Sequence, residues 1–242
     1  MIFSIIIPTL NEEKLLPFLL GQLNEYRKNE FTEFEVIISD GGSEDRTVEI
    51  SNTLADKTLT FEKEDLRTIS SGRAMGANHA KGDFLIFLNA DVRFENISRF
   101  FKTIKEKFIN SDYAAMTCTV KVFPDQEEFS DKIFSAFINN YISFLNWIGL
   151  GMARGECQVI RKTVYRTAGG YNPVLAAGED FELFTRIRKK GKVLFAREII
   201  VYESPRRYHK WGYSRIVFNW FINSAASWLL KRSISHKWEP IR

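Results

Sequence analysis

Ile2-Phe3-Ser4-Ile5-Ile6-Ile7-Pro8-Thr9-Leu10-Asn11-Glu12-Glu13 carries the first and clearest structural signal in the chain. Ile2 to Ile7 is an apolar run that stops at Pro8, as expected of a strand buried on both faces. Asn11-Glu12-Glu13 then opens a helical pattern with an Asn cap and an acidic first turn, followed by Leu15, Leu16, Leu19, Leu20, Leu23 and Tyr26. The unit repeats. Phe34 to Ser39 predicts a second strand, Ser43-Glu44-Asp45 the start of a second helix, and Leu59 to Glu62 a weak third strand. Ser70 to Lys81 reads as a small-residue helix, Asp83 to Leu88 as another buried strand, and Asn96 to Phe108 as a helix. Such alternation means right-handed βαβ crossovers, an α/β class and a mainly parallel sheet with helices on both faces. In these sheets ligands bind at the carboxyl ends of strands. The exits to inspect are Pro8-Thr9-Leu10-Asn11-Glu12, Asp40-Gly41-Gly42-Ser43 and Asn89-Ala90-Asp91.

The second half is less regular. Strands are expected over Tyr113–Val122, Glu156–Ile160 and Val193–Tyr202, and helices over Lys132–Ile148, Thr163–Ala168, Glu179–Lys190 and Ser214–Arg232. The 242 residues, 45% apolar and 26% charged, exclude disordered, collagenous and coiled-coil classes. Cys118 and Cys157 stand far apart with no Cys/His spacing, so neither a disulfide framework nor a zinc site is indicated, and a reducing, cytoplasmic setting fits. The N-terminus lacks the basic region and cleavage pattern of a signal peptide. Ile133–Ala153 and Ile216–Leu230 are free of charge but amphipathic, and neither is expected to span a membrane. The first is expected to pack its apolar face on the sheet. The net charge of +4 divides into +7 over Ser204–Arg242 and −3 before it. This basic tail suits a phosphate-bearing ligand, an anionic membrane or nucleic acid, among which composition does not choose, and its helix over 214–232 could lie in a membrane interface.

Three segments carry chemistry. A carboxylate at the second strand exit, Asp40, can accept from a base N–H or ribose hydroxyls, and Gly41-Gly42 lets backbone approach a ligand. Asp-Gly alone is more often a turn. Asn89 and Asp91, two apart on an extended segment, point the same way and can address one hard cation or one ribose-diphosphate cluster. Glu179-Asp180 suits a helix N-terminus by charge, and it is also placed to supply a general base.

Taken together, Pro8-Thr9-x-Asn11-Glu12, Asp40-Gly41-Gly42-Ser43 with Asp45 and Thr47, Gly72-Arg73-x-x-Gly76-x-Asn78, Asn89-Ala90-Asp91, Gly169-Gly170-Tyr171, and Glu179-Asp180 with Arg186 strongly resemble glycosyltransferase family 2 over residues 1 to about 200. The resemblance implies a GT-A fold: a Rossmann-like, mainly parallel sheet with helices on both faces and an acceptor-side extension. It implies a single domain over 1–242, with a nucleotide-sugar half (1–110), an acceptor half (111–203) and the basic helical tail (204–242). The implied reaction is inverting transfer of a sugar from a UDP- or GDP-type donor to an acceptor hydroxyl. Carried over by motif, Thr9, Glu12 and Asp40 hold base and ribose within a donor set that includes Pro8, Asn11, Gly41, Ser43, Asn89 and Ala90, and Arg73 meets base or diphosphate. Asp91 matches the metal-binding Asp of D-x-D, for Mn²⁺ or Mg²⁺, and Asp180 matches the base. Asn89 departs from the usual first Asp. Glu179, Arg206, Arg207 and His209 are the candidates for acceptor or diphosphate. Two alternatives stay open: a polyprenyl-phosphate transferase at the inner membrane face, and a nucleotide-sugar-binding protein without turnover. A homo-oligomer is open, and nucleic acid is not an expected partner.

Overall fold

The structure is a computed structural model that describes residues 2–30, 32–61 and 68–230. Along the chain run β1 (Phe3–Thr9), α1 (Leu16–Glu30), β2 (Phe34–Asp40), α2 (Thr47–Leu54), β3 (Lys57–Thr60), α3 (Ile69–His79), β4 (Phe84–Leu88), β5 (Arg93–Phe94) and α4 (Ile97–Thr103), which continues as a π turn over Ile104–Ile109. Then come β6 (Ala115–Val122), α5 (Phe129–Trp147), β7 (Cys157–Arg161), α6 (Lys162–Thr167), α7 (Glu179–Arg188), β8 (Val193–Glu203), α8 (Arg206–Trp211) and α9 (Tyr213–Leu230). The eight strands make one sheet in the order β3-β2-β1-β4-β7-β6-β8-β5. The first four are mutually parallel, and only β7 and β5 run against the rest.

The apolar run of β1 feeds both faces because side chains alternate along a strand. Ile5 and Ile7 pack with Leu16, Leu19, Leu20 and Leu23 of α1 and with Phe100, Phe101 and Ile104. Ile6 faces the other way, onto Ala77 of α3 and a layer that includes Leu183, Phe184 and Ile187 of α7. Helix α3 lies so close that a Cβ on Gly76 would come 2.4 Å from Ile6 Cγ2. This seats the N-terminal half of α3 against the strand exits of β1 and β2.

Two helix starts differ from expectation. Helix α1 begins at Leu16, and Asn11 adopts a left-handed φ of 53°. Its side-chain oxygen accepts from Glu44 N at 2.8 Å, so Asn11 joins two loops and caps no helix. Helix α2 begins at Thr47, because the Ser43 and Asp45 side chains are taken by the backbone N–H groups of Asn11 and Glu13. Strand β5 and helix α8 were not foreseen.

The largest difference is in α5. Its buried side carries Asp131, Ser135, Asn139 and Asn146 beside Ile138, Ile142 and Leu145, while Ile133, Phe137, Tyr141, Phe144 and Trp147 are exposed. Asn139 accounts for the inversion. Its amide accepts from Val120 N at 3.0 Å and donates to Val120 O at 2.8 Å, satisfying strand groups of β6 as a neighbouring strand would. Asn146 makes the same paired contact with Met152. Among the described residues no helix is long and apolar enough to cross a membrane. Lys231 and Arg232, expected to end the last helix, lie outside the described residues.

Candidate functional site

The strand exits and the start of α7 open into one cleft of about 570 Å³. Pro8, Thr9, Glu12, Gly41, Arg73, Asn89, Ala90, Asp91, Glu179, Asp180, Arg206 and Arg207 all line it. Twelve residues chosen by motif, spread over two hundred positions, are thus brought to one place.

Arg73 is the hub on the α7 side. Only 1% of this residue is exposed. Its Nη1 donates to Glu179 Oε1 and to Asp180 Oδ1, each at 2.8 Å, and its Nη2 donates to Asn89 Oδ1 at 2.9 Å. A Cβ on Gly155 would stand 2.1 Å from that Nη2 and 2.8 Å from Asp180 Oδ2, so a side chain here would have to displace the Arg73 guanidinium and the Asp180 carboxylate. Burial opposes the charge of Arg73, but Asp180, Tyr171 and Glu179 together raise its pKa. The guanidinium stays charged.

Asp180 is held from one side. Its Oδ1 also accepts from Gln158 Nε2 at 2.6 Å and from the Tyr171 hydroxyl at 2.9 Å. Among the described residues every hydrogen bond to Asp180 falls on Oδ1, and 20% of the side chain is exposed. Oδ2 is left with its lone pairs. Burial raises the Asp180 pKa, with Arg73 and the two side-chain donors working against the rise. Glu179 is pushed up to about 7 by burial and by the neighbouring Asp180 charge.

On the opposite side, Arg206 Nη2 lies 3.0 Å from both Glu12 oxygens and 3.0 Å from Asp91 Oδ2. Two carboxylates therefore converge on one cationic nitrogen. A hard divalent cation takes one or two carboxylates and leaves the rest of its shell to water and phosphate oxygens. Asp91 and Glu12 fit that donor set, with Arg206 as the competing cation. Asn89 does not join them, since its oxygen is engaged by Arg73. Among the described residues no group of three His, Cys, Asp or Glu side chains forms a metal cluster.

Other sequence candidates stand elsewhere. Asp40 is fully buried behind Thr9 and Gly41. Its oxygens accept from Thr9 Oγ1, Gly42 N, Ser43 N and Ser43 Oγ, so Asp40 and Ser43 tie the first two loops together from behind the cleft wall. His209 stands apart from the cleft. Its Nε2 pairs with Asp131 Oδ2 at 3.0 Å, and it does not line the cleft.

Sequence reasoning missed a second charged cluster. Arg154 Nη2 donates to Glu203 and to the Tyr208 hydroxyl, and its Nε donates to Glu156 Oε2 at 3.1 Å. All four residues line the cleft. Burial, with Glu156 adding to it, pushes Glu203 up to about 8. The run Arg154-Gly155-Glu156 just before β7 was a signal, but nothing local says that β8 and α8 meet it. Ser39 was also missed. It lines the cleft, and its buried Oγ has no partner among the described residues.

Comparison with known proteins agrees with this architecture. The PGL/p-HBAD biosynthesis glycosyltransferase of Mycobacterium bovis is 30% identical over 183 residues, 70% of this chain and 63% of its own. The 4,4'-diaponeurosporenoate glycosyltransferase of Staphylococcus haemolyticus is 37% identical over 97 residues, and the match spans 38% of this chain and 25% of that one. Among solved structures, the mannosyltransferase PcManGT from Pyrobaculum calidifontis, in complex with GDP-Man and Mn²⁺, superposes with a TM-score of 0.64 at 17% identity over 86% of this chain and 59% of its own. Likenesses of this kind establish the fold, a GT-A sheet flanked by helices. A family model described as glycosyl transferase family 2 matches residues 4–169, and with the motifs gathered in one cleft, the chain belongs to that family.

Proposed function

We propose that this glycosyltransferase inverts: it moves a sugar from a nucleoside diphosphate donor of UDP or GDP type to an acceptor hydroxyl, with Asp180 as the base. The carrying observation is the one-sided tethering of Asp180. Three donors fix Oδ1 and leave Oδ2 without one, and Asp180 lines the same cleft as Asp91 and Arg206. An acceptor hydroxyl is a weak nucleophile and needs a carboxylate within hydrogen-bond reach. As its oxygen bonds to the anomeric carbon, its proton passes to Asp180 Oδ2. The bond from that carbon to the diphosphate oxygen breaks, and the electron pair leaves with the diphosphate.

Arg206 and Arg207 face the developing negative charge, which costs least to stabilise with charges already in place. Asp91, with Glu12, would hold Mn²⁺ or Mg²⁺, which when bound supplies further neutralisation of the diphosphate. Thr9, Gly41 and Ser39 offer the base and ribose a polar wall, and Asp40 supports it from behind. Glu179, next to Asp180 but rotated by about 100° on the helix, is consumed by Arg73 and positions that guanidinium.

Calorimetric titration of UDP and GDP, with Mn²⁺ and then with EDTA, tests the reading. One nucleotide is expected to bind and to bind more tightly with Mn²⁺. In Arg206→Ala, Mn²⁺ alone should bind about tenfold more tightly than in the parent, since one charged contact worth about 1.5 kcal/mol no longer competes. Absence of nucleotide binding removes the donor assignment, and equal affinity in EDTA removes the cation.

A further inference from the structure

Past Asp180 the cleft changes character. Its lining also includes Ile138, Tyr141, Ile142 and Leu145 of α5 and Val217 and Trp220 of α9. None of these carries a charge. A second groove of about 480 Å³ runs on between the two helices, and Phe137 and Val217 belong to the walls of both. The rest of that groove is Phe134, Phe218, Ser214 and Tyr213, whose hydroxyl is already given to Asp131. Phe137 is 61% exposed and Phe218 63%.

This exposure is not scattered. Of the thirteen large apolar side chains exposed among the described residues, ten lie on α5, the turn that follows it, or α9. Single exposed hydrophobics need no explanation, but contiguous patches mark a binding surface. The inversion of α5 described above produces this one. Asn139 and Asn146 face inward to serve backbone groups, and the aromatic stripe is turned outward. The two cavities thus adjoin at Phe137 and Val217, the first lined by Arg207 and Asp180 as well as by apolar side chains, the second by Phe134, Phe218 and Tyr213.

We infer that the acceptor is an amphiphile whose hydroxyl end reaches Asp180 while its hydrocarbon chain lies in the groove between α5 and α9. The inference rests on the glycosyl-transfer reading, because Asp180 is what places the hydroxyl end inward. A wholly hydrophilic acceptor would leave both apolar walls wet. The polarity of a single-chain amphiphile matches the two adjoining cavities.

The test uses the full chain and a series of n-alkyl β-D-glucosides from hexyl to dodecyl, each below its micelle concentration, with binding read by calorimetry. UDP and GDP are titrated in parallel. Loss of nucleotide binding would then report on the transferase reading, and the glucoside series reports on the groove. Affinity should rise about three- to fourfold per added methylene, from about 0.8 kcal/mol per buried methylene. Val217→Asp and Phe137→Ser should each flatten that dependence and leave nucleotide affinity unchanged. Val174→Ser, exposed but outside both cavities, should keep it. A flat series in the parent protein, or an undiminished one in both groove variants, overturns the inference. So does binding to phosphatidylserine vesicles without binding of monomeric glucosides, which would make this face a bilayer seat, or self-association that blocks the probes.

Discussion

Asp180 and Glu179 are adjacent acids with different surroundings, and the proposed division of roles rests on that difference. Asp180 keeps an uncommitted oxygen, whereas Glu179 is locked to Arg73 in a pocket where only 5% of the residue is exposed. Asp180→Asn keeps shape and removes basicity, so transfer should fall by about 10² to 10⁴ with donor affinity retained. Glu179→Gln should cost less. Because burial raises the Asp180 pKa, and the base works only when deprotonated, activity should fall with acid at a pH above the usual carboxylate range of about 4. Single-turnover rates across pH check both points, and that acid limb should vanish in Asp180→Asn. Retained turnover in this variant would reassign the base. That Asp180 belongs with the strand exits was legible in the sequence. That Gln158 and Tyr171 would occupy one of its oxygens was not, since they reach it from β7 and from the turn before α7.

Helix α3 shows how an element's small residues carry a packing requirement. Gly76 faces Ile6 of the central strand with no room for a methyl group, its Cβ position lying 2.4 Å from Ile6 Cγ2 and 2.9 Å from Ser39 Oγ. Gly76→Ala should therefore destabilise by about 1 to 3 kcal/mol through overpacking, read as a lower denaturation midpoint with an unchanged slope. Strands β1, β2 and β4 were all legible in advance, because a doubly buried strand writes a mostly apolar run. Helix α5 was placed within a few residues, but its facing was not. A buried Asn contributes a polar letter to the helical pattern, and whether it faces water or an unpaired strand edge depends on β6. The tail helix was likewise foreseen, while α8, which brings Arg206 to Glu12 and Asp91, was not.

Across the molecule, two buried acids tie stability to pH. Glu179 is raised to about 7 and Glu203 to about 8, first by burial, from an ordinary 4.5. A raised folded-state pKa favours the protonated form, so this contribution is complete below about pH 4.5 and is lost as pH rises through 7 and 8. The melting temperature should fall more steeply between pH 5 and 8.5 in the parent protein than in Glu203→Gln. Equal slopes would show that Glu203 titrates normally. Both acids lie where the C-terminal half closes over the strand exits, and they were legible to unequal degrees. The sequence by itself determined the α/β class, the order of strands and helices through residue 108 apart from the short β5, and the motif residues that line the cleft, because periodicity and strand-exit chemistry are local properties of the chain. Only the tertiary structure decided that Arg206 sits on Asp91, that Asp40 and Ser43 stand behind the wall, that His209 turns away to Asp131, and that α5 shows its aromatic stripe outward. The Arg206 and His209 contacts rest on partners dozens of residues or more away, the facing of α5 on a strand edge just beyond its own turn, and no local pattern records either.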